Sequence, residues 1–227
     1  MKKLPYVYRP GQEPKKRYYV GLDLGQVQDP TAVVILECTG FAPAVYEAVY
    51  LYRYPLLTPY QQIANDLRAM FNHVDLAKHP KELIVDATGV GRPVVEMIAA
   101  AGLDPISVTI TGGYEPTRTD RGEWRVPKRD LVMATQLVFQ SRRITVVPEL
   151  EQAKLLRDEL LNFRLKLTKA GNDTYEAWRE GQHDDLVLAV AIALWYAEHQ
   201  SVAGVTPGKG IAEHNSLEFI PIDQQPY

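Results

Sequence analysis

The sequence predicts an α/β fold built on a mixed sheet, an antiparallel meander continued by parallel strands, flanked by helices. Three observations carry this reading. Apolar alternating runs near 18–24, 31–38 and 44–53 are joined by connections too short for a crossover, which makes them a meander. From residue 82 onward strand-like and helix-like periods alternate, the pattern of a βαβ unit with parallel strands. A late segment, 184–198, is apolar almost all round and therefore belongs in the interior as a helix.

Taken in order, residues 1–17 read as an irregular basic arm, because Pro5, Pro10, Gly11 and Pro14 interrupt any period. The first two strands are separated by Gln28-Asp29-Pro30, the next two by Thr39-Gly40 and Pro43, all turn-forming residues. Thr58 and Pro59 suit an N-cap and first helical residue for a helix from Tyr60 to about His73, with Ile63, Leu67, Met70 and Phe71 on one face. Strand 82–86 passes through Thr88-Gly89-Val90-Gly91 into a helix of about 93–101, and Gly102 precedes a strand near 105–110.

A polar loop is expected over 111–126, followed by a helix from Lys128 to Gln140 with Leu131, Val132, Leu137 and Val138 inward. A short strand 143–147 and a helix near 149–161 come next. Phe163–Thr168 and Thr174–Trp178 alternate around a turn and predict an added β-hairpin. After Ser201 the Gly/Pro/polar composition predicts a flexible tail, 201–227, which leaves 18–200 as one domain.

Composition narrows the function. A chain of 227 residues with 46% hydrophobic content builds a sizeable core, and its single cysteine, Cys38 in an apolar strand, excludes a disulfide framework or a Cys-rich zinc site. No stretch approaches the ~20 apolar residues of a membrane span, so a soluble protein with no membrane partner is expected. The net charge of −3 excludes a uniformly basic protein, yet residues 1–18 carry six Lys/Arg against one acid and 118–179 carry thirteen against nine. Phosphate contacts need local positive charge, so a basic nucleic-acid track offset by acidic ligands remains open beside ordinary scattered surface charge.

The candidate chemistry lies in aspartates at the ends of three separated apolar segments: Asp23, Asp86 and the pair Asp184/Asp185. Burying a carboxylate without a partner is costly, and oxygen ligands from three converging segments suit a hard divalent cation, Mg2+ or Mn2+. Each also has a plainer reading. Asp23 can cap the turn before Asp29-Pro30, Asp86 can form an Asx-turn or helix cap, and Asp184 and Asp185 can cap the buried helix and complement its dipole. Adjacent helical residues point about 100° apart, so one of that pair is available for other work.

His183 is either a metal neighbour and proton carrier or a surface residue. Lys128, Arg129, Arg121 and Arg125 are candidates for DNA phosphate contact, and Trp124 and Tyr114 either stack on bases or pack the loop down. As a set, the carboxylates have the order that a two-metal phosphodiesterase requires, with two cations about 4 Å apart in each site.

Four strings carry a family resemblance: Val20-Gly21-Leu22-Asp23-Leu24-Gly25 with Asp29-Pro30-Thr31-Ala32, Val85 to Gly91, Val126 to Val132, and His183 to Ala189. In this order they resemble the nuclease domain of the large terminase subunit of tailed double-stranded DNA bacteriophages, a branch of the ribonuclease-H-like superfamily. The resemblance implies a ribonuclease-H-like fold with an extra hairpin near 163–178. It makes Asp23, Asp86, Asp185 and Asp184 the catalytic, metal-binding carboxylates. It further implies cleavage of concatemeric viral DNA in the bacterial host cytoplasm at the prohead portal, with a packaging ATPase domain, the small terminase subunit and the portal as partners.

No Gly-x-x-x-x-Gly-Lys-Ser/Thr string occurs, so the chain is expected to be a nuclease fragment or a separately encoded nuclease, with arm 1–17 matching an interdomain linker. Three alternatives stand beside it. They are a Holliday-junction-resolvase-like nuclease, an actin/hexokinase-like phosphotransferase suggested by Gly21 to Gly25, and a non-catalytic DNA or portal docking module.

Overall fold

The computed structural model describes residues 16–25, 29–40, 43–169 and 184–203, with the backbone alone for 162–169 and 201–203. Alternating apolar residues form strands β1 (Arg17–Asp23), β2 (Ala32–Thr39) and β3 (Val45–Arg53), and these pair as the antiparallel meander that the short connections dictate. Helices α1 (Tyr60–Asn72) and α2 (Val74–Ala77) lead to β4 (Lys81–Asp86), α3 (Arg92–Ala100) and β5 (Pro105–Thr111). Then follow β6 (Thr117–Arg118), β7 (Trp124–Pro127), α4 (Lys128–Gln140), β8 (Ile144–Val146), α5 (Ala153–Lys169) and α6 (Asp185–Ala203). All eight strands form one mixed sheet in the order β6-β7-β5-β4-β1-β2-β3-β8, with β4 parallel to β1 and β5 parallel to β4.

The sheet has a core on each face. Val20, Leu22, Leu24, Val33, Ile35, Leu83 and Val85 meet α1 and α3 through Ile63, Leu67, Val94 and Ile98. Tyr19, Ala32, Val34, Leu36, Ile84 and Val108 face the other way and meet α4, α5 and α6. A strand buried on both faces needs apolar residues at nearly every position, and β1 and β2 have them.

Helix α6 is buried from Asp185 to Ala197 with a single half-exposed position, as its all-round apolar sequence requires. Its backbone lies directly on β1: a Cβ placed on Gly21 would stand 2.0 Å from the Ala189 carbonyl oxygen and 3.1 Å from the Ala193 Cβ. Glycine there is a packing requirement rather than a turn requirement. The far end of α6 is tied to the meander by Glu198, which accepts from Arg143 Nη1 and Nη2 at 2.8 and 2.7 Å and from the Tyr46 hydroxyl at 2.6 Å. Burial pushes the Glu198 carboxyl up, but the hydrogen bonds from Arg143 and Tyr46 outweigh it and hold it below the usual carboxylate range.

Several local expectations are corrected. Residues 111–126 are not one loop, because Thr117–Arg118 and Trp124–Pro127 extend the sheet as β6 and β7. Strands of two and four residues are too short to declare a period in sequence. The first strand of the expected hairpin, Phe163–Thr168, continues α5 instead. Leu156, Leu160, Phe163 and Leu167 recur at helical spacing, so the segment satisfies both periods and the helix prevails. The second strand, 174–178, lies outside the described residues, as do 1–15 of the arm and 204–227 of the tail.

Thr58 does not cap α1; Pro59 occupies that position, and the Thr58 hydroxyl donates to the Pro55 carbonyl at 2.7 Å. Leu137 points outward at 53% exposure, whereas Leu131, Val132, Thr135 and Val138 form the inner face of α4.

Replacing Gly21 by Ala is expected to lower stability by about 3 kcal/mol, because α6 must lift off β1; thermal denaturation within a degree or two of wild type would contradict this packing. Glu198→Gln tests the far anchor. Glu198 titrates lower in the folded state than unfolded, so its stabilisation is present above the unfolded value and is lost as pH falls through the folded one. The variant is therefore expected to be less stable by about 2 kcal/mol at neutral pH. In denaturant titrations across pH, that difference should shrink in acid.

Candidate active site

The strand ladders align Asp23 and Asp86 in one row across the sheet. Asp23 is in register with Asp86 on its parallel neighbour β4 and with Ala32 on β2. The row continues through Arg53 on β3 in one direction, and through Val108 on β5, Trp124 on β7 and Arg118 on β6 in the other. Residues directly opposite in a ladder point to the same face. Asp23 and Asp86 therefore both face the side covered by α6, one strand spacing of about 4.8 Å apart.

Local sequence fixes both strand ends. After Asp23 the chain closes sharply at Gly25, where a Cβ would stand 1.9 Å from the Asp29 carbonyl oxygen. Gly25 N donates to Thr31 Oγ1 at 3.1 Å, and the Tyr60 hydroxyl donates to the Gly25 carbonyl at 2.7 Å. Asp29 itself is exposed and is a turn residue, as Asp-Pro predicts. Asp86 is only 1% exposed, and its Oδ1 accepts from Thr88 N at 2.8 Å, which is the Asx-turn. Thr88 Oγ1 in turn accepts from Ile110 N at 2.8 Å, and Gly89 and Gly91 take φ of 93° and 72° to turn the chain into α3.

Asp184 and Asp185, 9% and 7% exposed, open α6, and the Asp184 carbonyl accepts from Leu188 N at 2.9 Å. Because Ala189 lies over Gly21, Asp185 one turn earlier is carried to the level of the row. There Asp185 Oδ2 is 3.1 Å from Arg53 Nη2, and the same Nη2 pairs with Glu159 Oε1 from α5. Glu159 Oε2 accepts from Leu186 N and Val187 N, both at 3.1 Å, and so satisfies the first amides of α6. Burial pushes the Glu159 carboxyl up to about 7, with Asp185 and Asp184 adding to the rise and Arg53 and the Val187 amide opposing it.

Arg53 and Glu159 are absent from the sequence-level candidates. Their pairing spans 106 residues of chain, and the only local hint is a charged residue on the apolar stripe of α5 beside Leu156 and Leu160.

The basic candidates separate. Lys128 and Arg129 follow β7 and open α4, at the end of the sheet where β1 and β4 deliver Asp23 and Asp86. Arg129 lies over the exposed Tyr114 ring at 5.4 Å and donates to the Tyr114 carbonyl. Arg125 alternates with the inward-facing Trp124 and Val126 and so occupies the opposite face. Arg121 sits in the β6–β7 turn, three residues before the row and toward the other end of the strands. Trp124 packs down instead of presenting a stacking platform, edge-on to Trp195 at 5.5 Å and to His199 at 4.9 Å. His183 lies outside the described residues.

The donor set fits a hard divalent cation: carboxylates from β1, β4 and the start of α6, three of them nearly buried, in one region of the molecule. Among the described residues, however, no three His, Cys, Asp or Glu side chains are drawn together as a group that could hold a metal ion. Asp86 is turned to its own Asx-turn and Asp185 toward Arg53. A cleft of about 1160 Å³ lined by Tyr18, Glu37, Met70, His73 and His79 touches none of these carboxylates. Among the described residues no helix is long and apolar enough to cross a membrane.

No protein-family model matches the chain. It is 27% identical over 191 residues to the terminase large subunit of Thermus phage G20c, and equally to that of Thermus virus P23-45. In both cases 84% of this chain is matched against 33% of the relative, so the chain spans about a third of the length of the curated relatives it matches. In fold it is similar to the crystal structure of the large terminase nuclease from thermophilic phage G20c, with a TM-score of 0.52 and 19% identity, covering 82% of this chain and 83% of that one. The mixed sheet thus has the fold of the large terminase nuclease, and the curated sequences it resembles are terminase large subunits.

Proposed function

We propose that this chain is a divalent-metal-dependent endonuclease that hydrolyses double-stranded DNA during viral genome packaging. The observation that carries the reading is the in-register pair Asp23/Asp86 at the ends of adjacent parallel strands, overlaid by Asp184 and Asp185 at the start of α6. The sequence relationship to terminase large subunits supports the same activity.

In this reading Asp23, Asp86, Asp184 and Asp185 hold Mg2+ or Mn2+, two ions at a time. Bound there, the ions supply Lewis-acid activation and neutralise charge developing on the phosphate and the leaving oxygen. The protein supplies position and charge, and no protein nucleophile is required. Asp86 is fixed by its turn and Asp185 by Arg53 and the helix start, and both are nearly buried. Lys128 and Arg129 stand at the same end of the sheet and take the DNA backbone, whose phosphates they neutralise. A packaging ATPase, a small terminase subunit and the portal are the expected partners, and the host cytoplasm at the portal is the expected place of action.

A second reading has an observation of its own. Asp86 as an Asx-turn and Asp185 as an ion-pair partner of Arg53 also suit a binding module whose carboxylates are structural. Cleavage separates the two. Plasmid DNA incubated with the protein in Mg2+, in Mn2+ and in EDTA is expected to be cut only with metal. Asp23→Asn and Asp86→Asn should each lower the rate roughly 100-fold or more with an unchanged circular dichroism spectrum, because Asn keeps the shape and removes the charge that holds a cation. Wild-type rates in either variant would remove the site assignment, and metal-independent DNA binding without cutting would favour the binding module.

Contacts with the backbone predict a salt signature. Lys128→Ala and Arg129→Ala should each reduce the slope of log affinity against log salt by about 1 without changing sequence preference; unchanged slopes in filter-binding titrations would take both residues off the DNA path.

A further inference from the structure

We propose that Arg53 and Glu159 are positioning residues of the carboxylate site: Glu159 holds the Arg53 guanidinium, and through it sets how far Asp185 is neutralised before a cation arrives. The proposal rests on the reading of Asp185 as a metal-binding carboxylate. Neither Arg53 nor Glu159 touches the reacting atoms in this account.

Three observations carry it. Arg53 stands in the same row and on the same face as Asp23 and Asp86, separated from Asp23 by Ala32. A methyl group at that intervening position leaves the long Arg53 side chain room to lie over the row instead of being held off it. Second, a single atom, Arg53 Nη2, is shared between Glu159 Oε1, the nearer, and Asp185 Oδ2 at 3.1 Å, with the Arg53 and Asp185 side chains only 16% and 9% exposed. Two carboxylates thus draw on one cation, and each limits how much of it the other receives. Third, the other oxygen of Glu159 accepts the Leu186 and Val187 amides, so the residue that restrains Arg53 also fixes the first turn of the helix bearing Asp185.

The consequence is an indirect role with a definite sign. With Glu159 charged and seated, Arg53 is divided, and Asp185 keeps charge for an incoming cation. With that charge removed, Arg53 turns fully to Asp185 and competes with the cation. Residues that orient a ligand without binding the metal commonly change metal affinity about 10–100-fold when altered.

The test is Mn2+ binding by calorimetry on the full chain in mildly alkaline buffer, where Glu159 is charged, with thermal denaturation and the Mn2+ concentration for half-maximal DNA cleavage measured beside it. Glu159→Gln keeps an oxygen for the two amides but loses the charge, and is expected to weaken Mn2+ binding about 10-fold with little change in melting temperature. In an Arg53→Met background the same substitution should change affinity less than about twofold, because the competitor is gone. Should E159Q fail to fold, E159D takes its place, since its carboxylate ends one methylene short of Arg53 and the expected direction is the same.

Unchanged Mn2+ affinity in E159Q overturns the proposal. So does an equal loss in the Arg53→Met background, which would make Glu159 act on the cation directly. Asp86→Asn is the control for the site itself. If wild type binds Mn2+ and Asp86→Asn does not, while E159Q behaves as wild type, only the positioning role falls. If wild type binds no Mn2+, the metal site falls and the positioning role with it.

Discussion

The contact on which the rest of this structure depends is the seat of α6 against Gly21. A helix normally rests on a sheet through its side chains; here the Ala189 carbonyl oxygen occupies the space that a Cβ on Gly21 would fill. Gly21, Ala189 and Ala193 are all small, and that is what permits the approach. The helix is tied at both ends, by Glu159 on its first amides and by Arg143 and Tyr46 on Glu198. From Asp185 to Glu198 is about 20 Å of helix, and from Asp23 back to Arg17 is about 20 Å of strand, so the two run the same length in opposite senses. With the axial position fixed, Asp184 and Asp185 can only fall at the level where β1 and β4 end.

That placement concentrates charge in an interior that disfavours it. Asp86, Asp184, Asp185 and Glu159 are each at most 9% exposed, and Asp23 on β1 is the register neighbour of Asp86. Arg53 supplies a positive charge to Glu159 and Asp185, and burial pushes the Glu159 carboxyl up to about 7 in spite of it. Buried carboxylates persist only where hydrogen bonds, counter-charges or bound cations offset their desolvation. Under the function proposed above, a divalent cation would be the partner suited to these oxygen ligands.

Much of this was legible in the sequence because it depends on local period. The meander, the βαβ unit and the buried late helix follow from alternation at two residues and from a segment with no polar face, and all three stand in the structure. The carboxylates were legible as residues of the wrong chemistry for where they sit. What sequence could not supply was register: that Asp23 aligns with Asp86 and Arg53 depends on pairings between distant strands. The same limit hid Glu159, whose partners lie 27 to 106 residues away. Where two periods fit one segment, as at Phe163–Thr168, the local pattern misled, and the outward Leu137 shows a helical stripe read too wide. The plain reading of Asp86 as an Asx-turn also holds, which illustrates that a backbone hydrogen bond and a place in a polar site are compatible roles for one carboxylate.

The central question is whether the strand-end aspartates and the start of α6 together hold cations. Anomalous diffraction from crystals grown or soaked with Mn2+ measures this directly. Peaks are expected between Asp23, Asp86 and the Asp184/Asp185 pair, and none there in crystals of Asp86→Asn. Strong peaks elsewhere with none at that position, in a protein that still cuts DNA in Mn2+, would contradict this.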